Sequence, residues 1–154
     1  LSSVHGQGSG IVLLLIDVDG TLVDTSSARG NGLQAWRAAI EEGAFPPLPG
    51  VVDAVSALRT KGMDMMILTG RAQSLEAATR RWLRREIPAL AQVPMLMRGD
   101  DDWRDVDAVK WDLSAPLGVY HRLWAIDDEP WCDGLPVRLF VAPGGWSDLL
   151  STVN

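Results

Sequence analysis

The sequence runs to 154 residues, 47% of them hydrophobic and 22% charged, with 20 acidic against 14 basic residues and a net charge of −6. Folding a chain of this size hides about 68–70% of its unfolded surface, enough for a genuine core, and the composition excludes disorder, collagen-like repeats and coiled coil. The acid excess argues against a general adsorber of nucleic acid or anionic membranes, and the one cysteine, Cys132, excludes an internal disulfide and a multi-cysteine zinc site.

Residues 1–10 are rich in Gly and Ser and read as a flexible tail, without the basic start or cleavage site of a signal peptide. Residues 11–16 are all apolar, the pattern of a parallel strand covered on both faces and far short of the roughly 20 residues of a membrane span. A helix follows at 32–42, broken by Gly43 and the loop Pro46 to Pro49. The next, 51–61, sets Val51, Val55 and Leu58 on one face and stops at Gly62. Residues 63–68 repeat the buried-strand pattern. Residues 74–86 are helical, with Leu75, Ala78, Trp82 and Leu83 on one stripe and Arg80, Arg81, Arg84 and Arg85 beside it. A strand at 94–97, a short helix at 105–113, and strands at 123–126 and 137–141 complete the chain. Strands alternating with helices predict one doubly wound α/β domain over 11–154, with a parallel sheet and a reducing, cytoplasmic setting.

Acidic residues cluster at two strand ends. Asp17-Val18-Asp19-Gly20-Thr21 follows the first strand, and Asp127-Asp128 follows the strand at 123–126. Ligands of open parallel sheets bind beyond the carboxyl ends of strands, near the switch in strand order. Neighbouring strands lie about 4.8 Å apart, so up to four carboxylates would share one small space. Such crowding needs a cation or raised pKa values. With no sulfur and two histidines to draw on, His5 and His121, an all-oxygen site suggests Mg²⁺. Thr69-Gly70-Arg71 ends another apolar run and is expected to start a helix, a place for an anion. Lys110, one of two lysines, falls in the turn-rich stretch before Leu123; Lys61 sits at a helix end as a solvated dipole partner. Carboxylates, a hydroxyl, a metal and a cation in one crevice suit a phosphoryl group attacked by an aspartate.

In their order along the chain, Asp17-Val18-Asp19-Gly20-Thr21, Thr69-Gly70-Arg71, Lys110 and Asp127-Asp128 resemble the motifs of the haloacid dehalogenase superfamily. The resemblance implies a Rossmann-like five-stranded sheet of order 5-4-1-2-3. A narrower likeness is carried by Met97-Arg98, Arg104-Asp105, Asp107, Val109-Lys110 and Ala125-Ile126-Asp127-Asp128. With Trp82 among Arg80–Arg85 and the Arg29-Gly30 pair, these resemble the phosphatase domain of phage-type polynucleotide kinase-phosphatases. The sequence contains no GxxxxGK[ST] loop of the kinase kind.

The resemblance implies a Mg²⁺-dependent phosphomonoester hydrolase with an aspartyl-phosphate intermediate, working as a polynucleotide 3′-phosphatase. Asp17 would attack phosphorus, and Asp19 would protonate the leaving oxygen and then deprotonate water. Thr69 and Lys110 would hold the phosphoryl oxygens, while Gly70, Arg71 and Arg29 would bind substrate. Asp17, Asp127, Asp128 and the Asp19 carbonyl would hold Mg²⁺. Trp103, Trp111 or Trp131 offer a stacking surface for a base, although tryptophans at helical spacing are usually core packing. The run Asp100-Asp101-Asp102 would repel a polyanion. Residues 24–50 are too short for a multi-helix cap, so the site should be open, or share a lid in a homo-oligomer. The expected partner is a phosphorylated substrate, a nucleic-acid 3′ end or a nucleotide, with no membrane. A nucleotidase or other phosphatase of the superfamily is the alternative, and then a receiver-like phospho-signalling module. Receivers place the acidic pair first and lack DxDGT.

Overall fold

The structure is a computed structural model that describes residues 11–154, so the tail expected at 1–10 lies outside the described residues. Its five strands are β1 (Val12–Ile16), β2 (Asp64–Ala72), β3 (Met95–Arg98), β4 (Arg122–Asp127) and β5 (Val137–Val141). They pair in parallel in the order β3-β2-β1-β4-β5, the expected 5-4-1-2-3 seen from the other edge. The central strand is apolar throughout because both of its faces are covered. Leu14 and Ile16 pack into the larger core cluster, and Leu13 and Leu15 into the smaller one on the opposite face.

Helices α1 (Leu33–Glu42), α2 (Val51–Thr60), α3 (Glu76–Glu86) and α5 (Gly145–Thr152) contribute to the larger cluster. Helix α2 buries Val51, Ala54, Val55 and Leu58, a helical stripe that drives its docking. The other face is covered more thinly, with Leu113 of α4 (Val106–Ser114) and Leu117 of the 3₁₀ turn after it. Residues 24–50 form a 3₁₀ turn and α1, not a multi-helix cap. Trp82 of α3 ties this segment down: its indole N–H donates to the Phe45 carbonyl at 2.8 Å.

Two expectations need correcting. Thr69-Gly70-Arg71 does not end a strand and open a helix; β2 continues to Ala72, its pairing with β3 resuming at Arg98 after an irregularity. The Arg71 side chain is bonded inside the protein, which keeps the backbone extended there. Helix α3 begins only at Glu76, after a 3₁₀ turn at Gln73–Leu75. Lys110 lies within α4, the helix expected at 105–113, rather than in the turn-rich stretch before Leu123. Helix α5 was not expected at all.

Register positions the site. Ile16 pairs with Ile126, and the Asp17 amide continues the ladder by donating to the Ile126 carbonyl at 3.0 Å. Asp17 and Asp127 therefore emerge side by side at the carboxyl edge. Among the described residues no helix is long and apolar enough to cross a membrane.

Candidate active site

Asp17 is buried at the tip of β1, and each of its oxygens has a partner. Lys110 Nζ donates to Asp17 Oδ1 at 2.7 Å and to Asp127 Oδ2 at 2.5 Å, while Thr21 Oγ1 donates to Asp17 Oδ2 at 3.0 Å. The last bond was not foreseen, although Thr21 belongs to the Asp17–Thr21 motif. Helix α4 packs beside β2 and sends Lys110 between the two carboxylates, which accounts for a buried lysine.

The electrostatics follow from this burial. Loss of water pushes the Asp17 carboxyl well above the ordinary carboxylate range, against the pull of Lys110, and the charges of Asp127 and Asp19 push the same way. Burial raises Asp127 as well, with Lys110 opposing it. For Lys110 burial disfavours the charge, but the two carboxylates outweigh it and hold its pKa above the usual lysine value.

Asp19, two residues on, is only partly buried and meets a different partner. Arg71 grips it at both oxygens, Nε to Oδ2 at 2.9 Å and Nη2 to Oδ1 at 2.7 Å. Thr79 of α3 accepts from Arg71 Nη1 at 3.0 Å and fixes the guanidinium from behind. Arg71 is thus committed to Asp19. Thr69 is buried beside it, its hydroxyl oxygen accepting the Arg71 amide at 3.1 Å, which leaves the hydroxyl hydrogen free to donate.

A cavity of about 400 Å³ opens over these groups. Its lining holds the carboxylates of Asp17, Asp19, Asp107, Asp127, Asp128 and Glu129, against the one ammonium of Lys110. Asp107 sits one turn before Lys110 on α4, a spacing that places both on one helix face and was open to recognition in the sequence. Trp36 of α1 also lines the cavity and carried no such signal.

Carboxylate oxygens of Asp17, Asp127 and Asp128 lie within 4.8 Å of one another. This donor set is hard and all-oxygen, the kind that suits Mg²⁺, so the residues fit the ion that the sequence suggests. Gly20 makes the close approach possible: its φ is +80°, and a Cβ there would lie 2.2 Å from Asp128 Oδ2.

Not every expected residue converges here. Gly70 lines the cavity, but Arg29 is exposed beyond the 3₁₀ turn at Ser26–Ala28 and is not among its lining residues. Trp131 is buried in the smaller core cluster and offers no stacking face, Trp111 is half-buried, and Trp103 is exposed. In the arginine cluster of α3, Arg80 binds the carbonyls of Ala91 and Val93, and Arg85 binds that of Gly43.

The sequence profile of the polynucleotide kinase PNKP phosphatase domain matches residues 12–130. No curated protein sequence matches the chain. Among solved structures, a chain of the Pnkp1/Rnl/Hen1 RNA repair complex superposes with a TM-score of 0.70 at 20% identity, covering 88% of this chain and 43% of that one. The class C acid phosphatase of Bacillus anthracis gives 0.64 at 18% identity, over 80% of this chain and 53% of its own. CbbY of Rhodobacter sphaeroides, in complex with phosphate, gives 0.56 at 17% identity and covers 88% of both chains. At these identities the likeness is one of fold. The chain spans under half the length of the RNA-repair relative.

Proposed function

The chain belongs to the family of polynucleotide kinase PNKP phosphatase domains, a branch of the haloacid dehalogenase superfamily, and from that premise we propose that it hydrolyses phosphomonoesters through an aspartyl-phosphate, with Mg²⁺ as cofactor and a polynucleotide 3′-phosphate as substrate. The observation that carries the reading is the charge of the cavity. Six carboxylates line it against one lysine, so a phosphate dianion enters only with a cation. Asp17, Asp127, Asp128 and the Asp19 carbonyl would hold Mg²⁺, which would supply positive charge to offset the phosphoryl oxygens.

The chain's own groups divide the remaining work. An Asp17 oxygen attacks phosphorus while the bond to the leaving oxygen breaks, and Asp19 delivers a proton to that oxygen. Water then attacks the same phosphorus and gives its proton to Asp19, and the bond between phosphorus and the Asp17 oxygen breaks to release phosphate. Arg71 and Thr79 hold Asp19 in place for both transfers. Thr69 donates its hydroxyl hydrogen and Lys110 its ammonium to the phosphoryl oxygens. Residues 11–154 form the single domain that carries this activity, in the cytoplasm.

A panel of 3′- and 5′-phosphorylated oligonucleotides, mononucleotides and sugar phosphates tests the reading, each assayed with Mg²⁺ and with chelator. Phosphate release from 3′-phosphorylated ends, abolished by chelator, is expected. Faster release from mononucleotides of either polarity would indicate a nucleotidase, and a preference for sugar phosphates would eliminate the nucleic-acid substrate.

A further inference from the structure

Beside the catalytic cavity lies a second space of about 390 Å³, and the function above leaves it unused. Trp36, Gly70 and Val106 line both spaces, so the two adjoin across these residues. A Cβ on Gly70 would lie 2.9 Å from Val106 Cγ1, which means the ridge between them has no room for a side chain. On the far wall stands Trp103, 81% exposed, with Leu33 and Val106 also open to water. An indole left in water at the mouth of an active site contributes little to packing.

The charges of this groove are equal in number, and each of its arginines is hydrogen-bonded within the protein. Arg37, Arg98 and Arg104 line it together with Asp100, Asp102 and Asp105. Arg37 donates to Ser74 Oγ, Arg98 to the carbonyls of Gly70, Asp102 and Arg104, and Arg104 to the carboxylates of Asp102 and Asp112. Those bonds hold the Asp102 carboxyl down at about 2, so it stays ionised and paired. Arg104 is thus neutralised by carboxylates and Arg98 is turned onto backbone carbonyls, while Arg37 is held by the Ser74 hydroxyl alone. What remains between these charged groups is the apolar surface of Leu33, Trp36, Trp103 and Val106, next to the cavity that holds Asp17.

We propose that this groove binds the base of the nucleotide that carries the scissile phosphate, stacked on Trp103, and that recognition ends at that nucleotide. The proposal rests on the phosphomonoesterase reading above. Base stacking on an aromatic side chain tolerates any sequence, since every base has a π-face. In the groove wall Asp100 is exposed and accepts the Ser74 amide, and Asp101 beside it faces water, two negative charges that disfavour a further backbone phosphate there.

The test assays the protein with Mg²⁺ on thymidine 3′-monophosphate, a 3′-phosphorylated thymidine pentanucleotide and glycerol phosphate. Expected are a kcat/KM at least about tenfold higher for the mononucleotide than for glycerol phosphate, and mononucleotide and pentanucleotide values within about threefold. The mononucleotide-to-glycerol phosphate ratio should fall about tenfold in Trp103→Ala and largely survive in Trp103→Phe. A ratio undiminished in Trp103→Ala, or a pentanucleotide favoured more than about tenfold, overturns the groove. If none of the three is hydrolysed, the phosphomonoesterase reading fails by itself, and tryptophan fluorescence decides the groove. Quenching by thymidine that is lost in Trp103→Ala then supports it, and equal quenching in both proteins overturns it.

Discussion

At the scale of single residues, the site stores unfavourable electrostatics that the proposed Mg²⁺ would relieve. Asp17 has its carboxyl pKa raised by burial, so the folded protein binds a proton there more tightly than the unfolded chain does. Where the native state binds more protons, stability falls as pH rises. The contribution of Asp17 is therefore largest below the ordinary aspartate value of 3.8 and is lost as pH climbs from there through the raised native value. Lys110 has the opposite sign: its raised pKa contributes stability that is complete below 10.5 and is lost above its native value. At neutral pH and without metal, Asp17 is a destabilising group. Asp17→Asn should then raise the metal-free stability by about 1 kcal/mol while lowering turnover by on the order of 10³-fold or more. Thermal unfolding with and without Mg²⁺ checks this. Mg²⁺ should raise the Tm of the wild type and do so much less for Asp17→Asn. A substitution that destabilises the metal-free protein would show that the Lys110 pairing, not burial, dominates at Asp17.

At the scale of elements, α5 shows how a segment remote in sequence supports the motif loop. Its Trp146 indole donates to the Thr21 carbonyl at 3.2 Å, and Leu149 is fully buried in the larger core cluster. Truncating Leu149 removes buried methyl groups and leaves a cavity, so Leu149→Ala should cost about 2–5 kcal/mol. Urea unfolding reads this as a lower midpoint at unchanged slope. A cost under about 1 kcal/mol would mean that α5 is peripheral to the fold. None of this was legible in the sequence, because residues 145–152 give only eight helical residues and begin in a Gly-Gly pair with no cap signal. The strands were legible for the opposite reason. Val12–Ile16 and Val137–Val141 are short runs dense in branched apolar residues between polar breaks, and strand 137–141 was placed to the residue. The continuation of β2 through Gly70 and Arg71 was hidden, since a glycine and an arginine after an apolar run read as a strand end opening a helix until the burial of Arg71 against Asp19 and Thr79 is known. The four aspartates of the site stood out by their place after apolar runs. The grip of Arg71 on Asp19 did not, because it joins residues 52 apart.

At the scale of the whole molecule, a net charge of −6 has to be reconciled with the polyanionic substrate proposed above. A protein that tracks a nucleic-acid backbone releases counterions, and its affinity falls steeply with salt. The obvious basic surface here is the arginine cluster of α3. Arg80 and Arg85 of that cluster are held by backbone carbonyls, leaving Arg81 and Arg84 exposed. They also lie toward the wrong end of the helix: Thr79 meets Arg71 of the site, whereas Arg85 reaches Gly43 at the far end of α1. A polynucleotide engaged only at its terminal nucleotide would feel the acidic surface as a weak repulsion that salt screens. Raising monovalent salt from about 50 to 200 mM at fixed Mg²⁺ should therefore leave kcat/KM on a 3′-phosphorylated oligonucleotide unchanged or raise it up to about threefold. A backbone-tracking enzyme with several phosphate contacts would lose activity by orders of magnitude over the same range. Such a loss, if abolished by Arg81→Ala with Arg84→Ala, would place the nucleic acid along α3 and away from the acidic face of the molecule.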